Sequence, residues 1–298
     1  MTDSEFENNI IIFRNGALGD FVLTLPVFQA IQEYFPSYQL YAIGRPTNCS
    51  MLTKSWGVID SESRNWGGLY NDGSLPKHIE NLLAKTTLAL IYSKPYGNLF
   101  RNAKNLLGNK AFFFDPQPPI NYSGHITDHL LSPLTKTLKI PVLNRSPISP
   151  ISKKQICKID VVAHVGSSSP KKNWPLENFI TLAKNLQQQG IKVSLIQGPI
   201  EKEMGITEST DIPIGCPQSL EELACFLASA KLFVGNDSGP GHLAAAVGTA
   251  TLTLFGPTDP QVWAPRHPKS QILSEPNKSM KNISVDSVIS ATLKQLSD

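Results

Sequence analysis

Residues 232–259, LFVGNDSGPGHLAAAVGTATLTLFGPTD, restrict the fold more than any other stretch, because they read as strand, glycine-broken turn, helix and second strand. Leu232-Phe233-Val234 is a short apolar run of the kind buried in a parallel sheet. Gly235 to Gly241 interrupts it with three glycines in seven positions, which lets a ligand approach the main chain closely. His242 to Val247 is an Ala-rich helical turn with Gly248 as its stop, and the β-branched, apolar Thr251 to Phe255 returns as a strand. A strand–loop–helix junction of this kind aims backbone N–H groups at one spot, where open α/β sheets bind phosphates and nucleotides.

The rest of the chain repeats the pattern. Ile10 to Phe13 is a first buried strand, followed by the loop Arg14-Asn15-Gly16-Ala17-Leu18-Gly19-Asp20. A helix follows from about Phe21 to Tyr34, with Val22, Leu25, Phe28 and Ile31 as its apolar stripe and Pro36 past its end. Gln39 to Ile43 completes a βαβ unit, and Leu88 to Tyr92 and Ala111 to Phe114 are further strands. Residues 53–80, with Trp56, Trp66 and several glycines, read as loops with short elements. Pro141 to Lys154 is rich in proline and serine without periodicity, a linker that puts a domain boundary near residue 150.

After it come a strand at 161–165, a polar loop at 166–175, a helix at 176–189 and a strand at 192–197. Ser219 with Glu222 has capping-box spacing at the start of a helix over 220–227, and Val285 to Leu296 is a last amphipathic helix. The organisation is therefore α/β, with consecutive βαβ series in residues 1–150 and 151–283 that imply two similar architectures, and with residues 284–298 as a terminal helix.

A length of 298 residues suits about two domains. With 41% apolar and 17% charged residues and a net charge of +3, the chain can bury real cores and meet an anionic substrate. It has no basic block of the kind that binds nucleic acid. Cys49, Cys157, Cys216 and Cys225 are scattered without a Cys-x-x-Cys pair, so zinc and disulfide frameworks are not indicated and the cytoplasm is the simplest home. No apolar run is long enough to span a bilayer, so any contact with the inner membrane would be peripheral.

Three loops just past strand ends carry the candidate chemistry. In the first, Asp20 on its Gly16/Gly19 hinge reads either as a general base or as the N-cap of the helix it precedes. The spacing is not Gly-x-Gly-x-x-Gly, which weighs against a nicotinamide or flavin enzyme. In the second, Ser167, Ser168 and Lys172 suit a diphosphate, the ordinary alternative being a solvated loop. In the third, Asp237, Ser238, Gly239 and His242 could meet a phosphate or sugar, with His242 as a charge-changing group or a satisfied structural residue. Glu201 and Glu203 stand where a carboxylate could bind ribose hydroxyls, or are simply solvated. Arg14, Arg45, Arg64, Lys94 and Arg101 are candidate contacts for an anionic partner and otherwise surface charges.

Together these motifs resemble the family 9 glycosyltransferases, the bacterial heptosyltransferases of the lipopolysaccharide core. The resemblance rests on Gly16-x-x-Gly19-Asp20 with Leu25-Pro26, on Lys172-Asn173-Trp174-Pro175, on Asn236 to Ala246 and on Phe255-Gly256-Pro257-Thr258-Asp259-Pro260. It covers the first 40 residues and most of 160–265. It implies a GT-B architecture with two Rossmann-like, doubly wound parallel-sheet domains facing across a cleft, and a terminal helix that returns to the first domain. The implied reaction is metal-independent, cofactor-free inverting transfer of a sugar, heptose from the co-substrate ADP-heptose, to a glycan or glycolipid acceptor. Asp20 would be the catalytic base, Ser167, Ser168 and Lys172 would contact the donor diphosphate, and Asp237, Ser238, Gly239 and His242 would line the donor site. The alternatives are a nucleotide-sugar epimerase, which would convert the donor without an acceptor, and a non-catalytic nucleotide-sugar-binding protein, which would have no use for a base.

Overall fold

The computed structural model describes residues 8–71, 73–149, 159–198, 202 and 211–297, and its chain divides into two compact units. The first unit comprises Met1–Ala17, Thr24–Tyr122 and Ile126–Arg145, and the second comprises Leu18–Leu23, Ser123–His125 and Ser146–Asp298.

The first unit's sheet is parallel, with strands β1 (Asn9–Phe13), β2 (Gln39–Gly44), β3 (Trp56–Asp60), β4 (Thr86–Tyr92) and β5 (Ala111–Phe114) in the order β3-β2-β1-β4-β5. Every residue of β1 is buried, as its uninterrupted apolar run requires of a central parallel strand. Helix α1 (Leu18–Tyr34) follows β1, and the later helices of eight residues or more are α2 (Lys77–Ala84), α3 (Asn98–Leu107) and α4 (Ile126–Lys136). One face of the sheet packs Ile11, Phe13, Ile43 and Ile91 against Trp66, Leu69, Leu83, Ala103 and Leu107.

Strand β3 and helix α2 lie in the stretch that reads as loops. β3 is an edge strand with alternate residues exposed, and it carries Gly57 because a Cβ there would lie 2.7 Å from the Tyr41 ring.

The second unit has strands β6 (Ile159–His164), β7 (Val193–Ile196), β8 (Ile214–Gly215), β9 (Ala230–Asn236), β10 (Ala250–Phe255) and β11 (Ser270–Ser274). They form one parallel sheet in the order β11-β10-β9-β6-β7-β8. Its helices of eight residues or more among the described residues are α5 (Leu176–Gln188), α6 (Leu220–Ala228), α7 (Gly239–Ala246) and α8 (Val285–Ser297). The Ser219 hydroxyl caps α6 by accepting from Glu222 N at 3.1 Å, while the Glu222 carboxylate accepts from Gln218 N at 2.7 Å, one residue upstream of the position a capping box would use. Gly248, at φ +91°, lies just past the end of α7 in the left-handed conformation that glycine adopts without strain.

Within the second unit, Val288 of the terminal helix α8 is buried in the core with Trp174, Phe179, Leu182 and Leu186, and Ile289, Leu293 and Leu296 pack against it. Its apolar stripe matches the α5 side of its own sheet, where the indole of Trp174 also donates to Ile283 O at 2.9 Å. The expected boundary at residues 150/151 lies outside the described residues, and the contact-based division falls between Arg145 and Ser146.

Candidate active site

In the second sheet the strand order reverses between β6 and β9, so the loops leaving these two strands open side by side, which is where doubly wound sheets bind ligands. Asn236 ends β9 and Asp237 follows it into the loop. Asp237 is buried, and its Oδ2 accepts from Lys172 Nζ at 2.7 Å and from the Thr258 hydroxyl at 2.8 Å. Three segments therefore meet on one carboxylate: the loop after β6 sends Lys172, the loop after β9 sends Asp237, and the loop after β10 sends Thr258. An ammonium has three donors, so Lys172, with 26% of its side chain exposed, can hold Asp237 and still donate to an incoming oxygen.

The loop after β6 is tied down at several points. Asn236 is fully buried; its Nδ2 donates to Val165 O at 2.7 Å and its Oδ1 accepts from Trp174 N at 3.0 Å. Ser167 is buried as well. Its hydroxyl lies 2.6 Å from Asn173 Oδ1 and 2.8 Å from Ser169 O, and it accepts from Ser169 N. A serine hydroxyl has one proton to give, so Ser167 shapes the loop. Ser168 is exposed at its tip.

Helix α7 begins at Gly239 with Pro240 next, so its first turn offers fewer donors than the sequence suggests. Pro240 has no N–H, and Gly241 N donates to Ser238 O at 3.1 Å, which leaves Gly239 N–H for the loop. Ser238 is the N-cap without a capping bond from its side chain, and its hydroxyl lies 3.4 Å from His164 Nδ1 at the end of β6.

Asp20 and Gly19 belong to the same unit, since Leu18–Leu23 clusters with it. A Cβ on Gly19 would stand 3.2 Å from His242 Cδ2 and 3.3 Å from Gly239 Cα, and one on Gly239 would stand 3.1 Å from Gly19 N. Glycine at both positions is what lets the starts of α1 and α7 approach so closely. The helix begins at Leu18, so Asp20 lies inside its first turn, half-buried, and is not the N-cap. A carboxylate in the first turn is favoured by the helix dipole.

His242 is 6% exposed; its Nε2 is 4.0 Å from Asp237 Oδ1 and its buried Nδ1 has no hydrogen-bond partner. Burial pushes its pKa down to about 4; the Asp237 and Asp20 carboxylates pull it up, while His125 and Lys172 push it further down. Burial therefore favours the neutral imidazole at neutral pH.

The structure thus gathers Gly19, Asp20, Lys172, Asp237, Ser238, Gly239 and His242, and places the buried Ser167 hydroxyl against Ser169 and Asn173 within its loop. Glu201 and Glu203 lie outside the described residues. Arg14 is buried, with Nε donating to the Thr24 hydroxyl at 3.0 Å, while Arg45 pairs with Glu62 at 2.9 Å on the surface. Asn236, Thr258 and His125 acquire roles that sequence reasoning missed. His125 donates from Nε2 to Ala264 O at 2.8 Å and is near enough to act on His242. The sequence signal existed for Asn236, a polar residue closing the row Leu232, Val234 on one strand face, and for Thr258 in the Gly-Pro-Thr-Asp turn. His125 has no local motif.

Among the described residues, no group of three or more His, Cys, Asp or Glu is placed to hold a metal ion, and no helix is long and apolar enough to cross a membrane.

The sequence profile of glycosyltransferase family 9 (heptosyltransferase) matches residues 149–291. Lipopolysaccharide heptosyltransferase 3 of Escherichia coli K12 is 33% identical over 149 residues, covering 42% of this chain and 43% of the relative, so the chain aligns with less than half of that relative's length. Lipopolysaccharide core heptosyltransferase OpsX of Haemophilus influenzae is 23% identical over 306 residues, covering 91% of this chain and 85% of the relative. The structure of E. coli heptosyltransferase WaaC with ADP superposes with a TM-score of 0.75 at 19% identity, covering 96% of this chain and 99% of that one. The two parallel-sheet units therefore have the fold of the GT-B heptosyltransferases. The match to the glycosyltransferase family 9 profile is confined to residues 149–291, and over those residues and beyond the chain is similar to lipopolysaccharide heptosyltransferases.

Proposed function

We propose that this protein is an inverting glycosyltransferase that moves heptose from ADP-heptose to a hydroxyl of a glycan or glycolipid acceptor in lipopolysaccharide core or related glycan synthesis. The observation that carries this reading is the Lys172–Asp237–Thr258 contact beside the glycine start of α7, at the point where the strand order of the second sheet reverses. A nucleoside diphosphate leaving group develops negative charge as the glycosidic bond breaks, and preorganised donors at that place lower the barrier. Lys172 would supply charge, Gly239 N–H a fixed dipole, and the Ser168 and Ser238 hydroxyls directed donors. Asp237 would hold the ammonium in place, and His242, neutral and buried, would close the floor without repelling it. Asp20, in the first turn of α1, would take the proton from the attacking hydroxyl as it bonds to the anomeric carbon from the face opposite the diphosphate, which inverts the centre.

The reaction needs no cofactor and no metal in this reading. The protein would work in the cytoplasm, with at most peripheral contact with the inner membrane.

The test is to incubate the protein with ADP-heptose with and without a heptose-accepting core oligosaccharide. Acceptor-dependent ADP release and a product of inverted anomeric configuration are expected. Conversion of the donor sugar without acceptor would identify an epimerase, and ADP binding without turnover under every condition would leave only a binding protein.

A further inference from the structure

Two consecutive residues at the end of β9 grip the loop after β6 in different ways. Asp237 takes the ammonium of Lys172, as described above. Asn236 takes the backbone at the loop's two feet: one amide group donates to Val165 O at 2.7 Å and accepts from Trp174 N at 3.0 Å. Residues 166–173, which include Ser168 and Lys172, lie between those feet.

Asn236 sits where packing alone would put an apolar side chain. Leu232 and Val234 precede it on the same face of β9 and belong to the buried core with Val165 and Trp174, and Asn236 is 0% exposed. A buried primary amide that lost either partner would leave an unsatisfied polar group, so its presence means that both bonds are made and that both fix the loop. Within the loop, the Ser167 hydroxyl and Asn173 Oδ1, 2.6 Å apart, add a second tie next to Lys172.

We infer that Asn236 is a positioning residue: by clasping Val165 and Trp174 it fixes the stem from which Lys172 reaches Asp237, and so sets the charge that meets the donor diphosphate. The inference rests on the donor-site reading above only in its last clause. Lysine carries a long, rotamer-rich side chain, so an ammonium can be held at a defined point only if its own backbone is held. Asn236 supplies that anchor from the residue adjacent to the ammonium's partner, so strand β9 fixes both ends of the Lys172 side chain at once.

The test is a cycle with two readouts. In the ligand-free protein, the coupling between Lys172→Met and Asp237→Asn is measured by chemical denaturation in the wild-type and the Asn236→Ala backgrounds. The two changes should couple by about tenfold in the folding equilibrium when Asn236 is present and by about twofold or less when it is absent. An unchanged coupling overturns the inference. In the second readout, ADP binding is measured by calorimetry. Asn236→Ala should weaken ADP about tenfold in the chain that has Lys172 and less than about twofold in the Lys172→Met chain. Equal losses in the two chains would make Asn236 a structural plug and overturn the positioning role. Should the wild type fail to bind ADP, the donor-site reading falls while the ligand-free readout still decides Asn236. If Asn236→Ala does not fold, Asn236→Asp replaces it: the carboxylate keeps an acceptor for Trp174 N and loses the donor to Val165 O.

Discussion

Asp20 and Asp237 are both glycine-flanked aspartates, each placed near the start of the helix that follows a central parallel strand, yet the structure gives them opposite circumstances. Asp20 is half-buried inside the first turn of α1. Asp237 stands before the N-cap of α7, buried, with Oδ2 already accepting from Lys172 and Thr258. The difference comes from where each helix begins relative to the acid. A carboxylate that receives an ammonium and a hydroxyl is held by charge-assisted hydrogen bonds, whereas one in the first turn of a helix is favoured by the helix dipole. Under the proposed reading, similar motifs would serve one group that moves a proton and one that holds a charge still.

The largest expected effect breaks or sustains that contrast. Asp20→Asn should cut transfer by roughly 10²–10⁴-fold, the range for a removed general base, with ADP affinity nearly unchanged in calorimetry. Asp237→Asn should instead weaken ADP binding as well, because Lys172 loses its anchor. Turnover retained by Asp20→Asn but lost in Asp237→Asn with ADP binding intact would exchange the two roles.

Stability should separate them next. Lys172→Met leaves the buried Asp237 carboxylate with Thr258 as its remaining hydrogen-bond partner, and breaking a buried pair in this way costs roughly 3 kcal/mol. Asp20→Asn, at a half-exposed position, should cost less than about 1 kcal/mol in the same urea titration. Equal losses would mean that the burial contrast does not control how each acid is used.

A pH series follows from the same contrast. His242 has a folded pKa near 4, below the ordinary imidazole value of 6.5, because burial penalises its charged form. Between those values the unfolded chain binds the proton and the folded protein does not, so the stabilising contribution is complete above pH 6.5 and is lost as pH falls toward 4. The loss over that window should be on the order of 2–3 kcal/mol, and His242→Asn should flatten it. A wild-type slope that survives the substitution would place the titration elsewhere.

How much of this was legible follows from what each residue depends on. The two βαβ series could be read because β1 and β9 are buried on both faces and their apolar runs are continuous. β3 could not, because it is an edge strand whose exposed alternation and Gly57 answer to Tyr41 across the sheet, not to its own neighbours in sequence. The site's residue types were visible in three loops, since Lys, Ser, Asp and Gly at strand ends are local signals. Their division of labour was not: Ser167 turned inward to Asn173, and His242 became neutral through burial and through His125, contributions that only folding brings together. The terminal helix was legible as amphipathic, but amphipathicity does not name its neighbours, among which the second unit supplies Trp174 beside Val288.

The smallest expected effect concerns the contact that brings the two acids into one neighbourhood. Gly19→Ala would put a methyl 3.2 Å from the His242 ring and 3.3 Å from Gly239 Cα, while Gly239→Ala would press on Gly19 N at 3.1 Å and on the Leu18 side chain. Each crowded contact costs about 1–3 kcal/mol, offset by about 0.5–1 kcal/mol because alanine is a better helix residue than glycine. The net loss should be about 1 kcal/mol apiece, read as a fall of about 2–4 °C in Tm. The two substitutions crowd the same gap, so the double variant should not show the sum of the single losses: once the first methyl has pushed the helix starts apart, the second meets less resistance. Transfer should fall further than stability in Gly19→Ala, since the displaced group is the imidazole that stands 4.0 Å from the Asp237 carboxylate. Strict additivity would mean that the starts of α1 and α7 do not touch in solution, and Asp20 and Asp237 would then have to be compared as members of separate sites.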